Sequence, residues 1–332
     1  MIDLTTNYLG FNLKNPIIAS ASPITNSLGG IKRLEDNGIA AIVLHSLFEE
    51  QVNHEQKVLN HFLYKENDSF AEALDYFPSD MQFDNLDSEH YLEFLSEMKK
   101  STDVPIIASL NGVSNAGWIK YGSKLQQAGA DALELNITYI PTSIDMSGSE
   151  VEKMYVDTIK NLRQHISIPL NVKMNSYFTN PANMAKQFVE AGANGLTLFD
   201  NPINVDIDLH TLSATQKAHL STSQDKSESL RWCAILFNNI EADLCVNTGI
   251  RSGKDVLKAM MSGANSVAIA SILLEKGEKY LQNILFKMEK WMEENEYESI
   301  NQMRGSISLN HTDNPAAYER NSYMYALKHF KI

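Results

Sequence analysis

Four times along this chain an amphipathic stretch ends at a glycine and an apolar, β-prone run begins within a few residues. That repeat limits the fold more than any other feature. The junctions are Asn37-Gly38 before Ile39 to Leu44, Ala128-Gly129-Ala130-Asp131 before Ala132 to Leu135, Ala191-Gly192-Ala193-Asn194 before Gly195 to Leu198, and Ser262-Gly263-Ala264-Asn265 before Ser266 to Ile269. Glycine suits the left-handed position that closes a helix, and a short loop then returns the chain to a sheet. Four such joins imply serial βα units. With that key the chain shows eight apolar runs, near residues 16–21, 39–46, 104–110, 132–138, 169–174, 195–200, 242–248 and 266–271. Eight is the count for a closed (β/α)8 TIM barrel. The rival, an open doubly wound sheet, seldom continues through eight regular units.

Amphipathic stretches between these runs, Trp118 to Gln127, Glu150 to His165, Pro181 to Glu190, Ser229 to Asn239 and Lys254 to Met261, fit an outer ring of helices. Asn180 before Pro181 makes a reasonable cap. One barrel domain spanning 1–332 is expected, since barrels of this kind use such lengths as a single unit. Three segments depart from a minimal barrel. Residues 47–103 are too long for a plain connector and are expected to form a lid, with Phe70 to Phe77 within it and an acidic helix near 88–99. Residues 201–228 are polar with little apolar period, as expected of a mobile loop over the barrel mouth. After about residue 295, the aromatic and basic stretch Tyr318 to Phe330 suggests an extra C-terminal helix.

Composition excludes several classes of function. A formal net charge of -13 argues against a nucleic-acid or anionic-membrane partner, and no uncharged run reaches the length of a membrane span. The expected partner is a small-molecule substrate. Cys233 and Cys245, the two cysteines, fall in a helix and a strand where burial is the usual reason for a cysteine. With no basic-then-apolar leader at the N-terminus, a cytoplasmic, reducing location is expected. The sequence contains no cysteine cluster for an iron–sulfur centre and no dinucleotide fingerprint, and no metal site is expected.

Barrel ligands meet residues at the C-terminal ends of strands. Here those ends are polar: Ser20, His45 with Ser46, Asn111, Asn136 with Thr138, Lys173, Asp200 with Asn201, Asn247 with Thr248 and Gly249, and Ser271. Amide and hydroxyl groups are the neutral partners that a heteroaromatic ring can pair with. After the seventh and eighth strands, Asn247-Thr-Gly-Ile-Arg-Ser-Gly253 and Ala270-Ser271 can cradle a phosphate with backbone N–H groups and a helix start. Lys173 is costly at an inward position unless it meets an anion or an electron-rich ring.

In their order, Asn15-Pro-Ile-Ile-Ala-Ser20, Leu135-Asn136-Ile-Thr138, Val172-Lys173 and Asn247-Thr-Gly-Ile250 make the chain resemble the class 1 dihydroorotate dehydrogenases over nearly its whole length. The resemblance implies an FMN-dependent oxidoreductase acting on a CH–CH bond in pyrimidine biosynthesis, with a pyrimidine-like substrate and a homodimeric assembly. It implies that Ser20, Ser46, Asn136, Lys173, Thr222, Thr248, Gly249, Ala270 and Ser271 line the cofactor, with Lys173 near the flavin ring. His45, Asn111, Asp200 and Asn201 fall at substrate positions. The chain also departs from the family. Asn136-Ile-Thr-Tyr-Ile-Pro141 stands where the family has Asn-Leu-Ser-Cys-Pro-Asn, so the proton-accepting cysteine aligns with Tyr139. His45 replaces a lysine, and Asp200 replaces an asparagine. A phenol titrates near pH 10, which makes Tyr139 a poor base but a serviceable proton donor, and His45 can assist as donor or anion clamp. Two other readings are a non-catalytic or regulatory barrel subunit that binds flavin or phosphate, and a flavin-free barrel lyase or isomerase.

Overall fold

The computed structural model describes residues 2–49, 51, 88–112, 117–200, 203–320, 324, 327 and 328. Its strands in chain order are β1 (Thr6–Tyr8), β2 (Phe11–Leu13), β3 (Ile17–Ala19), β4 (Ala41–Phe48), β5 (Ile106–Asn111), β6 (Ala132–Asn136), β7 (Leu170–Lys173), β8 (Gly195–Leu198), β9 (Asn204–Asp208), β10 (Ser213–Lys217), β11 (Asp243–Asn247) and β12 (Ser266–Ile269). The barrel runs β11-β12-β3-β4-β5-β6-β7-β8, all parallel, and closes where β8 pairs with β11. Each of its eight strands overlaps one of the eight apolar runs.

The glycine joins have a common geometry. Gly38, Gly129, Gly192 and Gly263 have φ of 98°, 104°, 111° and 119°, a region open to glycine at little cost. In three joins the following Asp or Asn then ties the base of the preceding barrel strand. Asp131 Oδ2 accepts from the Ile106 N–H at 2.8 Å, Asn194 Oδ1 from Leu170 at 2.9 Å, and Asn265 Oδ1 from Leu244 at 3.0 Å. The backbone N–H of the same three residues donates back to the same three partners' carbonyls. Glycine turns the chain and the carboxyl or amide sets its register, which is why the pattern recurs as a unit.

Around the cylinder, helices bury one stripe each against the outward strand residues. Helix Gly148–Arg163 buries Tyr155, Ile159 and Leu162, and Pro181–Glu190 buries Met184 and Phe188. The second begins as expected, with Pro181 in its first turn and Asn180 Oδ1 accepting from the Asn183 N–H at 3.0 Å. Below, the β1–β2 hairpin seals the barrel. Tyr8, Leu9 and Leu13 pack with Ile18, Val43, Ile107 and Cys245. Among the described residues, the C-terminal end of the cylinder is the end left without such a seal.

The acidic helix expected near 88–99 is Ser88–Ser101, and it buries Tyr91, Leu95 and Met98. Most of the expected lid, including Phe70 to Phe77, lies outside the described residues. Within 201–228 the structure builds the antiparallel β9–β10 hairpin, pairing Val205 with Gln216 and Ile207 with Ala214. Both faces of that hairpin are largely exposed, so no buried stripe announces it in the sequence. Helix Tyr280–Glu294, which the sequence reading does not separate, buries Leu281, Ile284, Met288 and Met292. Of the C-terminal stretch, Ala316–Glu319 forms a short helix, and most of Tyr318 to Phe330 lies outside the described residues. Cys233 and Cys245 are both free and buried. Among the described residues no helix is long and apolar enough to cross a membrane.

Candidate active site

At the open end, the tips of β8 and β11 are tied together. Asn247 Nδ2 and Thr248 Oγ1 both donate to the Phe199 carbonyl, at 2.9 and 3.2 Å. Thr248 and Gly249 then adopt successive left-handed conformations, φ 70° and 75°. This turn brings the Gly249 N–H within 3.2 Å of Ser221 Oγ, while the Ser221 N–H donates to Ser271 Oγ at 3.0 Å. A Cβ at position 249 would sit 2.4 Å from the Lys226 nitrogen and 2.8 Å from the Thr222 oxygen, so the turn requires glycine. Two serine hydroxyls, a glycine N–H and the first turn of helix Ser271–Lys276 thus converge. That is the chemistry of an anion cradle.

The cradle is braced from behind by a buried ion pair. Lys226 Nζ lies 2.9 Å from Asp255 Oδ1, with side chains 11% and 7% exposed. Asp255 also accepts from Ser252 Oγ at 2.8 Å and from the Arg251 N–H at 3.2 Å, and Arg251 Nη1 donates to the Ser221 carbonyl at 2.7 Å. Burial pushes the Asp255 carboxyl up, but the Lys226 ammonium, the Ser252 hydroxyl and the Arg251 N–H together hold it below the usual carboxylate range.

At the other end of the cleft is Lys173, buried at the tip of β7. Its Nζ is 3.3 Å from Asp200 Oδ1, and Asp200 Oδ2 accepts from Thr138 Oγ1 at 3.2 Å. Inside the barrel, Glu134 is buried on β6, with Oε2 accepting from Asn171 Nδ2 at 3.0 Å. Burial works against the Lys173 ammonium, yet Glu134 and Asp200 outweigh it and raise the group above its ordinary value. Burial also raises Glu134, with Lys173 pulling the other way. The cleft between cradle and lysine holds about 200 Å³.

Of the expected cofactor residues, Ser20, Lys173, Thr248, Gly249, Ala270 and Ser271 line this cleft, as does Asp200 from the substrate set. The others do not line it. Ser46 Oγ pairs with Ser109 Oγ at 2.8 Å, and Asn136 Oδ1 accepts from Thr138 Oγ1 at 3.1 Å. Thr222 is exposed and donates to Asp225, while its neighbour Ser221 faces the cleft. Asn111 ends β5 opposite Asn136, and Asn201 lies outside the described residues. Between Val43 and Ser46 a register shift in β4 turns His45 against Tyr91 and Phe94, at ring separations of 4.9 and 5.4 Å. Burial lowers the His45 pKa. Tyr139 is half-buried, with its hydroxyl 3.6 Å from Met146 Sδ. Sequence reasoning missed Ser221, Lys226, Asp255 and Glu134. Only Glu134 leaves a trace, as a charge inside the apolar run Ala132 to Leu135.

A closed parallel barrel with hydroxyl and N–H groups gathered after its last two strands and a buried cation across the mouth defines a (β/α)8 barrel whose open end is chemically suited to an anion. A dihydroorotate dehydrogenase family profile matches residues 3–292, and the chain belongs to that family. Among its relatives is the dihydroorotate dehydrogenase B (NAD(+)) catalytic subunit of Thermoplasma acidophilum, 24% identical over 310 residues, or 92% of this chain and 99% of that protein. The corresponding subunit of Methanocaldococcus jannaschii is 25% identical over 283 residues, covering 82% and 88%. Dihydroorotate dehydrogenase A (fumarate) of Limosilactobacillus reuteri is 27% identical over 270 residues, covering 79% and 84%.

Proposed function

We propose that this protein is an FMN-dependent oxidoreductase acting on a CH–CH bond of a small, cyclic, pyrimidine-related substrate. The observation that carries the reading is the pairing, across one cleft, of an anion cradle at Ser221, Gly249 and Ser271 with the buried ammonium of Lys173. These residues fit FMN by their chemistry. The cradle suits the phosphate, and a buried cation suits a ring edge that becomes electron-rich on reduction. When bound, the flavin supplies the site that gives or takes hydride.

Lys173 then offsets negative charge at the ring, and Asp200 holds Lys173 in place from the substrate side. Asp200 ionised is an acceptor only, so it selects a substrate edge that presents N–H groups. Tyr139, three residues beyond the buried Asn136, is the proton donor, exchanging its contact with Met146 for the substrate. His45 supports the second strand tip beside Ser46. Ser221 brings segment 201–228 to the cleft, consistent with a role as its cover. Exposed Val205, Ile207 and Leu212 on and beside the hairpin suit burial against a second copy of the chain, as a homodimer. Two buried free thiols are in keeping with a cytoplasmic location.

Anaerobic mixing of the FMN-loaded protein with dihydroorotate, and of its reduced form with orotate and related pyrimidines, tests the reading. Loss or return of flavin absorbance with one of these substrates supports it. A loaded protein unresponsive to the whole set contradicts the substrate class.

A further inference from the structure

Among the described residues, two carboxyls inside the barrel mouth, Asp200 and Glu134, face the single ammonium of Lys173. Lys173 already pairs with Asp200 at 3.3 Å, and Glu134 is a second carboxyl two residues deeper on the neighbouring strand, in register with Asn171 while Lys173 is in register with Asn136. The groups facing Glu134 are Lys173 and Asn171 from β7, Thr197 and Asp200 from β8 and its tip, Ser109 from β5, Cys245 from β11 and Tyr8 from the sealing hairpin. Tyr8 and Cys245 do not compete for protons near neutrality, since burial pushes Tyr8 far up and Cys245 up to about 12. Tyr8 Oη, Asn171 Oδ1 and Ser266 Oγ are buried without a hydrogen-bond partner. Orphaned polar atoms of this kind mark places for internal water near Glu134.

We propose that Glu134 is a positioning residue for Lys173 that takes up a proton when the group bound above that lysine is reduced. Reduction would add negative charge beside the ammonium, whose field Asp200 and Glu134 already share. Protonating Glu134 restores the balance. In full, the bound flavin gains two electrons and one proton, and the Glu134 carboxylate gains one further proton at an Oε atom. The electrons come from the reductant and both protons from solvent. The inference rests on the flavin reading above.

The test is the midpoint potential of the FMN-loaded full chain as a function of pH, for the parent and for Glu134→Gln. The parent is expected to fall about 30 mV per pH unit more steeply than the variant over the window in which Glu134 titrates, the value for one extra proton per two electrons. Parallel curves overturn the proposal. Reduced-minus-oxidised infrared spectra of the parent, with carbon-13 glutamate, need no variant to fold. A carboxylic acid carbonyl band that appears on reduction and moves with the label supports the proposal, and its absence refutes it. A chain that takes up no FMN overturns the flavin reading and this inference together, whereas loaded protein with parallel curves overturns this inference alone.

Discussion

Lys226→Met removes one partner of the ion pair behind the cradle and leaves Asp255 buried, with its hydroxyl and N–H donors but no cation. Breaking a buried pair from one side costs about 3–5 kcal/mol, whereas replacing both partners by apolar groups is often nearly neutral. Unfolding entropy is about 2.1 cal/mol/K per residue. For a chain of 332 residues that is about 0.7 kcal/mol per degree, so the single variant should melt about 4–7 °C lower. The double variant Lys226→Met/Asp255→Leu should recover most of that loss. Thermal melts followed by circular dichroism measure both. The same pair positions Ser221, so FMN affinity should fall further than riboflavin affinity in the single variant, because riboflavin lacks the phosphate. A single variant that melts within a degree of the parent, or a double variant less stable than the single, would refute the reasoning.

Gly249→Ala puts a Cβ 2.4 Å from the Lys226 nitrogen at φ 75°, and the left-handed strain alone costs about 1–2 kcal/mol. FMN binding should weaken about tenfold or more, as measured by fluorescence quenching. Tyr139→Phe should slow substrate-dependent flavin reoxidation by about 10²–10⁴-fold in stopped-flow traces, the usual yield of a positioned proton donor. An unchanged rate removes Tyr139 from the mechanism. His45 is held neutral by burial, so its folded pKa lies below the unfolded value of about 6.5, and the unfolded chain binds the extra proton. Its contribution to stability is therefore complete above about pH 6.5 and lost as pH falls toward the folded value. Urea melts across that window should show the decline, and His45→Phe should flatten it.

Much of the fold is legible because its signals are local. A glycine that must be left-handed is fixed by its immediate neighbours, so the joins at Gly129, Gly192 and Gly263 can be read from the chain, although the Asp or Asn that follows each one caps a strand more than 20 residues earlier. Strand-end residues such as Ser20, Lys173 and Ser271 follow from barrel geometry once the strands are counted. What stayed hidden depends on contacts between distant segments. Adjacent hydroxyls at Ser221 and Thr222 look alike, and only the turn at Gly249 decides which faces the cleft. Lys226 and Asp255 read as solvated helix charges until the fold buries them 2.9 Å apart. His45, read from the sequence as a strand-end residue at a substrate position, lies at a register shift in β4 and packs against Tyr91 and Phe94 from a helix distant in the chain. The β9–β10 hairpin has alternation but no buried face, so periodicity alone cannot separate it from irregular chain.

The proposed function requires that the two ends of one cleft recognise the two ends of a flavin nucleotide. Calorimetric titration of the flavin-free protein with FMN tests that most directly, run alongside Lys173→Met and Gly249→Ala. One FMN per chain, bound more weakly by both variants, is the predicted result. No binding, or binding that neither substitution alters, would contradict it.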